Sequence, residues 1–449
     1  MQMMEKEKHD LLIFNGTILT LNSNYDIIED GIVGITNGVL KRIEARNKDK
    51  ELPKSQQVLD ASGGIIMPGI INTHTHAPMT LFRGLADDLP LLTWLHKYIF
   101  PLEGKLTFDL VYKGTLLACA EMILSGTTTF CDGYFYEDAV AHATRQAGMR
   151  GVLGQGIIDF PAPGVPDPAE NIRHAERFLE SWQGETSLII PCLFCHSVYT
   201  CTEKTLRSAH RLAEQVGVLF QIHTAETQEE VRKVKKERGV SPIQYLYRIG
   251  ILERETLLVH VIWVDETDLE CVKKSQASIS VTTESEMKLA SGIAPLPSFL
   301  AKGIKVGLGT DGCASNNNLD MFREMDTTAK LHKVVSLDPT VLDARTVLTL
   351  TTAEAAKTIG LWDQVGSLEA GKRADIIIID TKRPHLTPIY NPYSHIVYAA
   401  SGSDVRDVII DGRIVMKDRR ILTFDVEEVM RDVRRESAHL ARGFPLTRG

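Results

Sequence analysis

"PGIINTHTH", Pro68 to His76, closes an apolar run that begins at Gly64 and ends on two histidines separated by one threonine. Successive side chains along a strand alternate faces, so His74 and His76 point one way and Thr73 and Thr75 the other. Two imidazoles on one face at a strand end can share a metal ion, because neutral imidazole is the commonest protein metal ligand. A solvated surface turn would account equally well for an isolated His-x-His. The rest of the chain must therefore supply further ligands at equivalent positions, or the pair means little.

Apolar, strand-like runs recur downstream at GTTTFCDG, RGVLGQGIIDF, SLIIPCLFCHS, VLFQIHTAET, TLLVHVIW, ASISVTTES and IKVGLGTDG. Helix-like stretches such as EKTLRSAHRLAEQVG and DETDLECVKKSQ separate most of them. With the opening run this makes eight β units alternating with helices, the count of a (β/α)8 TIM barrel. The chain ends have a different texture. LLIFNGTILTL and EDGIVGITNGVLKRIEA at one end, and KRADIIIID and VRDVIIDGRIVMKDRR at the other, are short runs punctuated by turn residues. The expected architecture is an α/β barrel over 68–361 with a small β-sandwich domain built from both ends. Residues 1–67 give its N-terminal part; 362–449 give its C-terminal part and a terminal helix.

Composition narrows the function. A net charge of −8 argues against nucleic acid or an anionic membrane as the main partner. No apolar run approaches the roughly 18 residues of a membrane span. The charged opening MQMMEKEKHD lacks the apolar core of a secretory leader. Seven cysteines scattered through apolar segments fit a reducing compartment, so a cytoplasmic location is expected. Cys192 and Cys195 form a C-x-x-C inside a strand-like run rather than at a helix start, where a redox pair would sit. Self-assembly into a homo-oligomer is left open.

Barrels of this kind carry their chemistry at the C-terminal ends of the strands. Reading those ends in order gives His74 and His76, Asp132, Asp159, His196, His223 with Glu226, His260, and Asp311. His74, His76, His223 and Asp311 offer three imidazoles and one carboxylate from the first, fifth and eighth strands, a donor set suited to one hydrolytic zinc ion. Glu226 is placed to take a proton from the water and hand it on. His260 could hold that water in line. Asp132 and Asp159 have no partner that the sequence names.

At these residues the chain resembles the amidohydrolase superfamily, and within it the 5-methylthioadenosine/S-adenosylhomocysteine deaminases. The likeness runs nearly end to end. It includes PGIINTHTHAPMTLFRGLADD, HTAET, GTDGCASNNNLDMFREM, GSLEAGKRADIIIID and PYSHIVYAASGSDVRDVIIDG. The resemblance implies a hydrolytic deaminase of adenosine derivatives that carries one Zn2+ per chain, with Fe2+ or another divalent ion as the alternative. By the same resemblance His74, His76, His223 and Asp311 are ligands, Glu226 the proton carrier, and His260 and Asp311 the groups that orient the nucleophile. Glu103 would hold the ribose hydroxyls, His196 the purine, and Trp94 would line the pocket.

The chain departs from that family at three places. Gln155 stands where the family carries an arginine on the third strand. Val281 and Thr282 replace the histidine and asparagine of a seventh-strand Ser-His-Asn-Pro motif. Cys195-His196-Ser197-Val198-Tyr199 replaces Pro-His-Ser-Pro-Tyr. A neutral amide cannot form a bidentate charge-assisted pair with a carboxylate. Gln155 thus leads to the expectation that 5′-methylthioadenosine is preferred over S-adenosylhomocysteine. The rival within enzymes is a triazine- or pyrimidine-type aminohydrolase or chlorohydrolase with the same metal site. The rival outside them is a non-catalytic amidohydrolase-like scaffold.

Overall fold

The eight apolar runs are the eight strands of one parallel sheet, hydrogen-bonded in chain order. They span Ile70–Thr75, Thr127–Tyr134, Arg150–Ile157, Ile189–Ser197, Phe220–Thr224, Thr256–His260, Ser278–Val281 and Val306–Leu308. A computed structural model describes residues 8–440 and 442 of the chain. The seam between the eighth strand and the first is closed by the Asp311 N–H donating to His74 O at 3.0 Å and the Thr310 N–H donating to Asn72 Oδ1 at 3.0 Å. Close approach at this seam requires glycine. A Cβ on Gly309 would stand 2.6 Å from His74 N and 2.8 Å from His74 O.

Helices cover the outside of the barrel and obey ordinary end rules. Glu203–Val216 starts at Thr202, whose hydroxyl accepts from Thr205 N–H, and stops at Gly217 in the left-handed conformation. Its buried residues, Leu206, Ala209, His210, Leu212 and Ala213, recur at helical spacing. No described helix is long and apolar enough to cross a membrane.

The two chain ends share a second, mixed sheet. His9–Leu19 pairs with Ile27–Thr36 on one side. On the other it meets Ser55–Asp60 with its first half and Ile65–Pro68 with its second. Ile65–Pro68 then pairs antiparallel with Ile376–Ile379, which leads on to Val405–Ile410 and Arg413–Lys417. The run of four isoleucines is apolar on both faces for a structural reason. Ile376 and Ile378 pack into the sheet's own core with Leu11, Ile13 and Val33, whereas Ile377 and Ile379 join the core of the barrel.

One buried ion pair ties the two units together. Arg150, at the start of the third barrel strand, is fully buried and donates to both carboxylate oxygens of Asp375 at 2.9 and 3.0 Å. The terminal helix, Val426–Leu440, packs on the barrel helix Phe108–Leu124, where Lys113 meets Glu436 at 3.2 Å. All seven cysteines are free, and Cys192 and Cys195 are buried on the fourth strand.

Candidate active site

His74, His76, His223 and Asp311 converge at the C-terminal mouth of the barrel. Their four candidate ligand atoms lie within 4.8 Å of one another. His74 Nε2 and His223 Nε2 are 3.1 Å apart, and Asp311 Oδ1 stands 3.3 Å from His76 Nε2 and 3.7 Å from His74 Nε2. His76 Nδ1 donates to Gly133 O at 2.7 Å, so its Nε2 carries the lone pair and faces the cluster. Burial pushes His74 down to about 4 and lowers His76 and His223 as well, which keeps the imidazoles neutral. Burial would raise Asp311, but hydrogen bonding with His74 and the nearby charge of His260 hold its carboxyl well below the usual range. Three neutral nitrogens and a carboxylate, all aimed at one point, fit a divalent metal ion.

The cluster is held from outside. Asp311 Oδ2 accepts from Ser285 Oγ and Ser315 Oγ, both at 2.7 Å. Asp132 accepts from Ala77 N–H at 2.6 Å and so pins the turn that follows His76. Asp159 instead accepts from Thr202 N–H and Thr205 Oγ1 at the start of a barrel helix, a structural task away from the cluster. Ala225, His260, Val261 and Asp311 all have positive φ, from 53° to 73°. Such conformations are costly for residues with a Cβ and collect where surrounding contacts hold a functional geometry.

Glu226 and His260 stand over the cluster. Glu226 Oε2 lies 4.0 Å from His260 Nε2, and Glu226 Oε1 accepts from Ser291 Oγ at 3.2 Å. The backbone around Glu226 is fastened by Glu230, whose oxygens accept from Ala225 N–H and Glu226 N–H at 2.9 and 2.8 Å. Burial raises the Glu226 carboxyl. Burial alone would lower His260, yet the carboxylates of Glu226, Glu286 and Asp311 push it up to about 9.

A cavity of about 760 Å³ with its open mouth rises above these groups, and Trp94, Glu103, Tyr134, His196 and Phe194 line it. Trp94 and Glu103 both come from the segment between the first strand and the helix Phe108–Leu124. Glu103 is buried and accepts from Tyr134 Oη–H at 2.6 Å, and burial pushes it up to about 7. His196 Nδ1 pairs with Thr200 Oγ1 at 2.9 Å, and burial drives its ring down to about 3, so it is neutral.

Gln155 is placed differently from the expectation. On the third strand Gly154 and Gly156 take the lumen face: a Cβ on Gly154 would meet Phe194 Cβ and Gln221 Nε2 at 3.0 Å. Gln155 has the opposite parity. Its Oε1 accepts from Glu137 N–H at 3.4 Å and its Nε2 donates to Gly156 O at 3.2 Å, while Gly156 lines the cavity. A contact between Gln155 and the substrate's 5′ end therefore has no support in the geometry.

The amidohydrolase family model matches residues 65–415, which takes in the barrel and part of the second sheet. The chain belongs to the amidohydrolase family. It is a hydrolytic enzyme. This amidohydrolase is 48% identical over 431 residues to the 5-methylthioadenosine/S-adenosylhomocysteine deaminase of Syntrophobacter fumaroxidans, covering 96% of this chain and 98% of that one. It is 41% identical over 433 residues to the 5′-deoxyadenosine deaminase of Methanosarcina mazei, covering 96% and 98%. Among solved structures, an adenosine deaminase from Xanthomonas campestris with bound zinc superposes with a TM-score of 0.95 at 33% identity, covering 98% of this chain and 100% of the other.

Several groups around this amidohydrolase site escape a reading of the sequence. Tyr134, Ser285, Ser315, Glu230 and Glu286 each act on a site residue through a contact that crosses elements or a tight turn. Only Ser285 and Glu286 had a local signal: they follow Thr282 by three and four residues, the spacing of one helical face.

Proposed function

We propose that this amidohydrolase is a zinc-dependent deaminase of adenosine derivatives, with 5′-methylthioadenosine and related nucleosides of uncharged 5′ end as preferred substrates. The observation that carries the reading is Glu226, a half-buried carboxylate 4.0 Å from His260 Nε2 on the wall of the same cavity as the four-donor cluster. A divalent ion held by His74, His76, His223 and Asp311 supplies Lewis-acid activation of water near neutral pH. Zinc is favoured by the donor set and by the zinc-bound relative from X. campestris.

Glu226 has two tasks in this scheme. Its carboxylate takes a proton from the attacking water and delivers it to the ring nitrogen beside the amine-bearing carbon. It then carries the second proton to the departing ammonia, so that water and amine become oxo product and ammonia. His260 Nε2 and the Asp311 carboxylate orient the water. Glu103 uses one oxygen for Tyr134 and keeps the other for the ribose diol. His196 faces the purine and Trp94 closes the apolar wall. A sugar-binding carboxylate favours a nucleoside over a triazine.

The preference among nucleosides follows from charge. Among the described residues no lysine or arginine lines the cavity. The adjoining outer chamber has Lys233 and Arg238, but these are outnumbered by Asp159, Glu226, Glu229, Glu230 and Glu237. The carboxylate of S-adenosylhomocysteine would leave water for a cavity with no cation in its wall, beside an outer chamber with an excess of acid. An ionic hydrogen bond contributes about 1.5–3 kcal/mol and a neutral one about 0.5–1.5. The difference of roughly 1–2 kcal/mol is about 5- to 30-fold in kcat/KM. 5′-Methylthioadenosine and 5′-deoxyadenosine should thus exceed S-adenosylhomocysteine by that factor. Ammonia release measured over adenosine derivatives, pterins and triazines tests the whole reading; turnover confined to triazines would replace it.

Glu103 gives an independent check. Glu103→Ala should raise KM for nucleosides by about tenfold or more, the scale of losing a hydrogen bond to a charged group, with a much smaller change in kcat. Equal loss for a sugar-free aminopurine would remove Glu103 from the ribose site.

A further inference from the structure

The short helix Thr283–Lys288 begins where the seventh barrel strand ends, and it supports two members of the site at once. Ser285 donates to Asp311 Oδ2. Glu286, the next residue, turns toward His260. Its carboxylate is 2% exposed and faces His260. Glu286 Oε1 accepts from Thr282 N–H at 3.0 Å, lies 3.4 Å from Thr282 Oγ1, and stands 3.6 Å from His260 Nδ1. Thr282 Oγ1 completes the triangle at 3.0 Å from His260 Nδ1.

The protons in this triangle can be assigned from donor capacity. A threonine hydroxyl has one proton and two lone pairs. The Glu286 carboxylate accepts from Thr282 N–H and can only accept, and the Thr282 hydroxyl donates to it at 3.4 Å. The hydroxyl oxygen then accepts, and its partner must be an N–H at His260 Nδ1. That leaves Nε2 facing the cavity and Glu226. His260 itself sits at φ 73°, a conformation that its surroundings must hold.

We propose that Thr282 and Glu286 are positioning residues: they hold a proton on Nδ1 and fix the ring orientation of His260, so that Nε2 is the atom presented to the attacking water. A carboxylate behind a functional histidine serves the same end in metal sites and in hydrolase triads. The inference rests on the deaminase reading, in which His260 orients the nucleophile. It also assigns a task to Thr282, at one of the positions where the chain departs from its family's seventh-strand motif.

Thr282→Val is nearly isosteric and removes only the hydroxyl. It should lower kcat for 5′-methylthioadenosine about 10- to 100-fold, the usual scale for outer-shell partners, with metal content unchanged. KM should stay within about threefold, since substrate contacts are untouched. Thr282→Ser should recover most of the loss. Glu286→Gln keeps an acceptor for Thr282 N–H but lacks the charge, and should fall with Thr282→Val. A readout independent of turnover is the nitrogen-15 spectrum of labelled histidine, with His260 assigned by its disappearance in His260→Asn. At a pH above about 9, where the ring is neutral, wild type and Thr282→Ser should show the Nδ1–H form; Thr282→Val should show a tautomer mixture or Nε2–H. Unchanged kcat in Thr282→Val, or a bare Nδ1 in wild type, would overturn the assignment. Wild-type protein with the Nδ1–H form but no ammonia release from any nucleoside would instead defeat the deaminase reading alone.

Discussion

Protein carrying His74→Ala is expected to purify without its metal and to release no measurable ammonia, whereas wild type should hold about one zinc-like ion per chain. His74 is the most enclosed of the four donors, with no exposed side-chain surface. Its Nε2 is the atom that lies near both His223 Nε2 and Asp311 Oδ1. Removing the ring takes away one donor and also one of the hydrogen-bonding partners that keep the Asp311 carboxyl ionised. The remaining donors then lose both number and geometry, and the loss compounds rather than adds. Asp311→Ala should fail in the same way. Metal content by atomic emission, measured beside ammonia release, checks both variants. Re-addition of zinc should restore chelated wild type but not His74→Ala. Full turnover by thoroughly chelated wild type would remove the metal from the mechanism.

How legible this site is from sequence depends on which spacing carries it. His74 and His76 could be read because strand parity is strictly two, and His223, His260 and Asp311 because barrel chemistry gathers at strand ends. The isoleucine run at 376–379 could be read as a strand, whereas the two cores that cover its faces appear only in the fold. The parity of Gln155 was also available: Gly154 and Gly156 flank it in RGVLGQGIID, and glycine on alternate positions marks the face where another chain or ligand comes close. The pairs Tyr134–Glu103 and Glu286–His260 join elements 31 and 26 residues apart, and no local period encodes them. The proposed substrate preference is argued from a cavity wall that among the described residues has no lysine or arginine, a feature that only the assembled barrel defines.

Glu226→Gln separates metal binding from proton transfer. The substitution keeps the side chain's size, and the amide oxygen can still accept from Ser291 Oγ, which now holds Glu226 Oε1 at 3.2 Å. Glu230 acts on the backbone of Ala225 and Glu226, so the local turn is also preserved. Glu226 is outside the four-donor cluster, so the variant should keep its full complement of metal. What it loses is a group that can take up a proton and release it again. General acid–base catalysis contributes about 10²- to 10⁴-fold, so kcat should fall by at least about a hundredfold. In free energy that is about 2.7 kcal/mol or more, larger than the discrimination expected between the two nucleosides. KM should move little, because the proposed ribose and purine contacts lie at Glu103, His196 and Trp94 and not at Glu226. A variant without metal would make Glu226 a ligand, and one with near-normal turnover would pass the proton to His260, its neighbour at 4.0 Å.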